Sequence, residues 1–206
     1  MADEQLRAYL RATALNVPQK RVSNDDLART IATSDEWIMS HTGIRYRHLA
    51  EEGTAASDLA LPACRAVLKK AGIDPAAIDL VLVATTTPDH PGFPSTACII
   101  QDKLGLANAG AMDIGAACSG FIYALETAKN FILAQAARNV LVVCSEVMSS
   151  ITDWSDRNTC VLLGDGAAAA LVSLNEERTE SEILFSRLGA EGDGAPYLIR
   201  KGGGSR

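Results

Sequence analysis

The chain has 206 residues, of which 48% are hydrophobic and 21% charged, with a net charge of -6 at pH 7. That length buries a real core in one or two domains, and the acidic balance argues against nucleic acid as the main partner. The polar start MADEQLR is not a secretory leader, no apolar run nears the ~20 residues of a membrane span, and an odd count of five cysteines with no CxxC and no His at metal spacing argues against a zinc site or disulfide framework.

RAYLRATAL (7–15) reads as a first strand, ended by Pro18. Two short helices follow. In the second, Thr33 lies three residues before Glu36, the spacing of a capping box, and Gly43 marks the stop. A longer helix is expected from Thr54 to Ala71 with Gly72 as its C-cap, kinked or shortened by Pro62. Asp74-Pro75 caps a short turn, and DLVLVATTT (79–87) is a buried strand because Val and Leu run without polar alternation. Pro94 opens a helix that ends at Gly105; GAMDI (110–114) is a strand, 118–136 a helix and NVLVVCSE (139–146) a strand. TCVLLGDG and AAAALVSL are apolar segments joined at Gly164-Asp165-Gly166, a turn that lacks the lysine of a phosphate loop. EILFSRLGA (182–190) is a candidate last strand, and the ending KGGGSR reads as a loop cut in mid-course. Strands alternating with helices predict an α/β layered fold around a largely buried sheet.

The chemistry concentrates in DIGAACSGF (113–121). Cys118 falls where a strand hands over to a helix whose Phe121, Leu125, Ala128 and Ile132 recur at helical spacing, with the thiol on the flank of that side. A thiol in the first turn feels the positive end of the helix dipole, which favours thiolate. Gly115, Ala116, Ala117, Ser119 and Gly120 leave room for a ligand's carbonyl and let backbone N–H groups approach it, as a nucleophile accepting an acyl group needs. A small buried hydrophobe is the competing reading of any free cysteine, and the one that suits Cys64, Cys98, Cys144 and Cys160 among their apolar neighbours. By the same plain reading Trp37 is a core or edge aromatic, Arg157 a solvated loop charge, and Phe93 a staple on the helix after Pro94.

DIGAACSGF resembles the active-site segment of the ketoacyl-acyl-carrier-protein synthase III family, condensing enzymes of the thiolase superfamily. TSDEWIMSHTGIRYRH (33–48) resembles that family's first signature, and IDLVLVATTTPDHPGFPSTAC (78–98), SDRNTCVLLGDGAAAALV (155–172) and EGDGAPYL (191–198) agree in order and spacing. The resemblance implies the N-terminal half of a thiolase-like layered α/β fold, a mixed sheet flanked by helices over residues 1–175. Residues 176–206 then begin the connection to a second half absent from this chain.

The same resemblance implies that Cys118 takes the acyl group from acyl-CoA as a thioester, with its own N–H in the oxyanion hole, before condensation with malonyl-acyl-carrier protein and loss of CO2. It implies Trp37 stacked on the CoA adenine, Arg157 on the other side of that base, and Thr33 at the CoA-facing rim. Phe93 corresponds to a residue that crosses a homodimer interface to line the partner's acyl pocket. Acyl-CoA is then a substrate, no cofactor or metal is needed, the carrier docks mostly on the missing half, and the setting is cytoplasmic fatty acid synthesis. Two positions depart from the family pattern. His41 stands where arginine is common, making nucleotide binding weaker or pH-sensitive, and Pro62 stands in a helix. The family's condensing histidine and asparagine lie in the second half, whereas His41, His48 and His90 all fall in first-half segments. The chain is therefore expected to acylate Cys118 only slowly, without a base or the rest of the oxyanion hole, to lack condensation, and to leave the apolar face of the 118–136 helix exposed. Two alternatives stand beside this: a related acyl-CoA-using polyketide or alkylquinolone-type synthase, or a truncated fragment serving only as a dimerisation module.

Overall fold

The computed structural model describes residues 6–174, 181–200 and 202–203. Its strands are β1 (Ala8–Asn16), β2 (Lys20–Ser23), β3 (Tyr46–Leu49), β4 (Leu80–Ala84), β5 (Gly110–Ile114), β6 (Asn139–Val147) and β7 (Asp165–Leu174). Its helices are α1 (Asn24–Ala28), α2 (Asp35–Thr42), α3 (Ala56–Ala71), α4 (Thr96–Lys103), α5 (Gly120–Leu133) and α6 (Arg157–Cys160). Five strands form a mixed sheet in the order β1-β7-β6-β4-β5, while β2 and β3 pair as a separate antiparallel ribbon. Within the sheet β5, β4 and β6 run parallel, and β7 and β1 are antiparallel.

The unalternating Val/Leu runs are explained by helices on both faces of the sheet. Val81 and Val83 of β4, with Leu141 and Val143 of β6, join one core under α3 and α4. Leu80 and Leu82, with Val140 and Val142, join a second core under α5. Both sides of a central strand are thus apolar, the pattern of buried parallel sheets. Alanines of β7 on the α3 side, Ala167 and Ala169, present little bulk to the first core.

Several sequence expectations shift. Helix α3 runs unbroken through Pro62. The carbonyl that loses its donor belongs to Asp58, and both residues lie on the exposed side, where water can satisfy it. TCVLLGDG contributes α6 and a loop rather than a strand, and β7 already begins at Asp165, so the Gly-Asp-Gly run is a strand start. Asp165 is 6% exposed and accepts hydrogen bonds from the Ala50 N–H (2.7 Å), the Ser149 N–H (2.8 Å) and Ser149 Oγ (2.6 Å). EILFSRLGA forms no strand beyond a single bridge between Tyr9 and Glu182. It lies instead against α5, where Tyr123 Oη donates to the Gly189 carbonyl (2.8 Å) and Ser186 bonds Glu126. The start assigned to the connecting segment, 176–180, lies outside the described residues.

Candidate functional site

Cys118 sits on an elbow. Strand β5 ends at Ile114, a single 3₁₀ turn covers Ala117–Ser119, and α5 begins at Gly120 rather than at the cysteine. Three contacts hold this elbow in place. Asp113, at the end of β5, accepts from the N–H groups of Thr96 and Ala97 (both 2.8 Å), tying the strand to the first turn of α4. Gly120 packs directly on β4, so close that a Cβ there would lie 2.8 Å from Ala84 Cβ. Ala117 takes φ 43, a left-handed conformation that costs a non-glycine residue about 1 kcal/mol or more and aims the next side chain outward. Strain immediately before a nucleophile on a strand–turn–helix corner is the geometry that lifts a reactive atom clear of the backbone.

Cys118 is accordingly exposed. It stands beyond the carboxyl ends of the parallel strands β4, β5 and β6, where open α/β sheets place their ligands. Near the end of β6, Glu146 accepts from the Thr86 N–H (2.7 Å), Thr86 Oγ1 (2.9 Å) and Thr87 Oγ1 (2.7 Å), fixing the loop after β4. A cavity of about 570 Å³ opens between that loop, the start of α3 and the end of β6, lined by Ala55, Thr86, Thr87, Asp89, Val147 and Ile151 among others. Neither Cys118 nor Trp37 lines it. The buried face of α5 is Gly120, Ala124, Ala128 and Ile132; Ala128 and Ile132 of the expected stripe are buried and Leu125 packs against the same core, whereas Phe121 is 39% exposed, as is its neighbour Ile122 at 47%.

The five thiols separate sharply. Burial pushes Cys64 up to about 12 and Cys144 to about 11, and raises Cys160 as well. Cys98 and Cys118 are exposed. Brief alkylation with iodoacetamide at pH 8, read by peptide mass spectrometry, is expected to modify Cys118 and Cys98 while Cys64 and Cys160 stay unlabelled until the chain is denatured, because only accessible thiolate reacts. Labelling of Cys64 at the rate of Cys118 contradicts this packing.

A second cluster forms around Trp37 on α2. The Arg157 guanidinium, from α6, sits 4.4 Å from the indole centroid and donates to the Ala32 carbonyl (2.9 Å). The ring of His41 stacks on the same indole at 4.4 Å and 26°. Its Nδ1 lies 2.8 Å from the Trp37 carbonyl and 3.0 Å from Ser40 Oγ. Thr33 is not the cap of α2: Ser34 fills that role through the Trp37 N–H (3.1 Å), leaving Thr33 Oγ1 buried without a partner among the described residues. Trp37, His41 and Arg157 thus form one stack along α2, and Thr33 immediately precedes its N-cap. Phe93 is 87% exposed on the loop between β4 and α4, apart from this cluster.

Sequence reasoning missed the β2–β3 ribbon, whose four-residue strands lack an apolar alternation, and with it Arg47 and Asn24, which are buried beneath Trp37's helix. Among the described residues no group of three or more His, Cys, Asp or Glu is placed to hold a metal, and no helix is long and apolar enough to cross a membrane.

A family profile described as 3-Oxoacyl-[acyl-carrier-protein (ACP)] synthase III matches residues 112–192, the stretch from the elbow onward. The chain is 48% identical over 199 residues to a β-ketoacyl-[acyl-carrier-protein] synthase III of Natranaerobius thermophilus, covering 96% of this chain and 60% of that protein. It is 51% identical over 187 residues to the protein of the same name from Ehrlichia canis, covering 91% and 58%. The crystal structure of β-ketoacyl-[acyl carrier protein] synthase III from Thermus thermophilus superposes with a TM-score of 0.86 at 41% identity, over 93% of this chain and 58% of that one. The fold is therefore thiolase-like, and the chain spans about 60% of the length of the curated relatives it matches.

Proposed function

We propose that the chain is, over the residues it contains, a member of the β-ketoacyl-acyl-carrier-protein synthase III family and carries the acyl-accepting half of an initiating condensing enzyme of fatty acid synthesis. The observation that carries this reading is the exposed Cys118 sulfur on a strained strand–turn–helix corner. The Cys118 thiolate attacks the carbonyl carbon of acyl-CoA, a tetrahedral oxyanion forms, and the bond from that carbon to the CoA sulfur breaks. The products are the Cys118 thioester and CoA, whose sulfur takes the proton that Cys118 gave up. One thioester replaces another, so the step needs positioning and oxyanion stabilisation rather than an energy source. The Ser119 and Gly120 N–H groups of the elbow already donate to the Ala116 and Ala117 carbonyls, so this reading assigns the oxyanion to the N–H of Cys118 itself.

In this reading the cluster on α2 receives the adenine end of CoA: Trp37 offers the stacking face, Arg157 the cation over it, Thr33 Oγ1 an unpaired hydroxyl, and His41 supports the indole. The Arg157 guanidinium now lies directly over the ring, so a base that enters between them displaces it. Phe93, standing clear of the surface, and β5, an edge strand with Met112 exposed, support a homodimer in which Phe93 lines the partner's acyl pocket. Transfer to malonyl-acyl-carrier protein with loss of CO2 completes the reaction. We assign its enolate-stabilising donors to the length of the relatives that this chain does not span. The chemistry calls for no cofactor besides the substrate acyl-CoA, and the cytoplasm is the compartment it implies.

Incubation with acetyl-CoA followed by intact-protein mass spectrometry tests the reading. The expected result is one acetyl group per chain, mapped to the peptide that carries Cys118. An unmodified Cys118 in a full-length protein rules it out. Repeating the assay with acyl groups of two to ten carbons separates an acetyl-CoA enzyme from a longer-chain synthase of the same fold.

A further inference from the structure

Arg47, on β3, is 5% exposed and makes no ion pair with a carboxylate among the described residues. Its guanidinium donates instead to three oxygens from three parts of the chain: the Val22 carbonyl of β2 (3.4 Å), Asn24 Oδ1 of α1 (2.9 Å), and the Val161 carbonyl just past α6 (3.1 Å). Nε has no partner. Asn24, 1% exposed, extends the link: its Nδ2 donates to Asp35 Oδ1 in the first turn of α2 (2.8 Å) and to the Ile44 carbonyl just beyond that helix (2.7 Å). The two side chains therefore grip both ends of α2 and the C-terminal end of α6. Those are the helices that carry Trp37 and Arg157.

Stability alone does not account for this arrangement. A buried cation without a counter-ion costs more than an apolar side chain of the same volume, and the surrounding cluster of Leu27, Ile38, Cys160 and Val161 could accept one. What an apolar residue cannot do is fix the register of three separate segments, as the planar fork of an arginine can. Close approach of the chain at Gly164, where a Cβ would lie 3.1 Å from Arg47 Cβ, reinforces the same joint.

We propose that Arg47, acting through Asn24, is a positioning residue of the nucleotide clamp: it sets α2 against α6, and so the Trp37 indole against the Arg157 guanidinium that together receive the adenine of acyl-CoA. The proposal rests on the reading of that cluster as the CoA site. Its role is indirect, and neither side chain touches the substrate.

The test compares Arg47→Met, Asn24→Ala and Trp37→Ala in the full chain by calorimetric titration with CoA and by the rate of Cys118 acylation across acetyl-CoA concentrations. Arg47→Met is expected to weaken CoA binding and raise the half-saturating acetyl-CoA concentration by about tenfold or more, the scale of a lost charged hydrogen bond. The loss is confined to thioesters that carry the nucleotide, so acylation by the acetyl thioester of N-acetylcysteamine does not show it. A general structural defect lowers both. Should Arg47→Met fail to fold, Arg47→Lys keeps the charge, loses the fork, and carries the same expectation. Binding by Arg47→Met equal to the parent, while Trp37→Ala has lost it, overturns the positioning role alone. Undiminished binding by Trp37→Ala overturns the clamp itself.

Discussion

A Cys118→Ala variant is expected to gain no acyl mass from acetyl-CoA under conditions in which the parent chain is acylated once, and to unfold within about 0.5 kcal/mol of the parent. Both halves follow from the same fact. The sulfur is exposed on the elbow and makes no contact on which the two cores depend. Removing it deletes the only group proposed to form the thioester and little else. Cys98, the other exposed thiol, supplies the control: Cys98→Ser should retain acylation, whereas a chain that used any accessible sulfur would lose part of it. Cys64→Ser supplies the opposite control. Its thiol is wholly buried in the first core, so a hydroxyl there leaves a polar group without water and destabilises the chain by about 2 kcal/mol without touching acyl uptake. Equal mass gain by Cys118→Ala and the parent ends the acyltransferase reading.

What could be read from the sequence and what could not divides along physical lines. The strands β4 and β6 announced themselves because two helical layers demand apolar residues on both faces, and only Val and Leu runs satisfy that. Gly43 and Gly72 were legible as helix stops because each takes the positive φ that L side chains avoid. The elbow was legible as composition, a thiol among small residues, yet its decisive feature was hidden: Ala117 at φ 43 carries no residue-type signature, since alanine gives no hint of a left-handed turn. Internal carboxylates were invisible for a related reason. Asp113 and Asp165 bind backbone N–H groups distant in sequence, and nothing in their neighbours distinguishes them from solvated acids. EILFSRLGA has the apolar content of a strand but pairs only where Glu182 meets Tyr9, and content alone does not create a pairing edge. The buried stripe of α5 was legible at Leu125, Ala128 and Ile132 and missed at its start, where Phe121 stays exposed and the contact actually made is Gly120 on Ala84.

That contact makes the sharpest structural prediction. Gly120→Ala is expected to destabilise the chain by about 2 kcal/mol, as overpacking of a close-packed site does. Helix propensity opposes this, since alanine in place of glycine is worth up to about 1 kcal/mol. The clash prevails because Ala84 cannot give way: it is 5% exposed, and β4 is paired there on both sides, to Ile114 and to Cys144. The start of α5 must move instead, and Cys118 lies two residues upstream of it. A shift near 1 Å at a reacting atom costs about a hundredfold in rate, so acylation should slow far more than the stability loss alone explains. Ala84→Gly alone should cost about 1 kcal/mol through strand entropy and a small void. Combined, the two substitutions exchange which partner carries the methyl group and restore the spacing. The double variant should therefore recover stability beyond the sum of the singles by 1 kcal/mol or so, the coupling expected of residues in direct contact, and recover acylation with it. Strict additivity in denaturant unfolding, or a double variant as slow as Gly120→Ala, means that the corner bearing Cys118 is not registered on β4 through this pair.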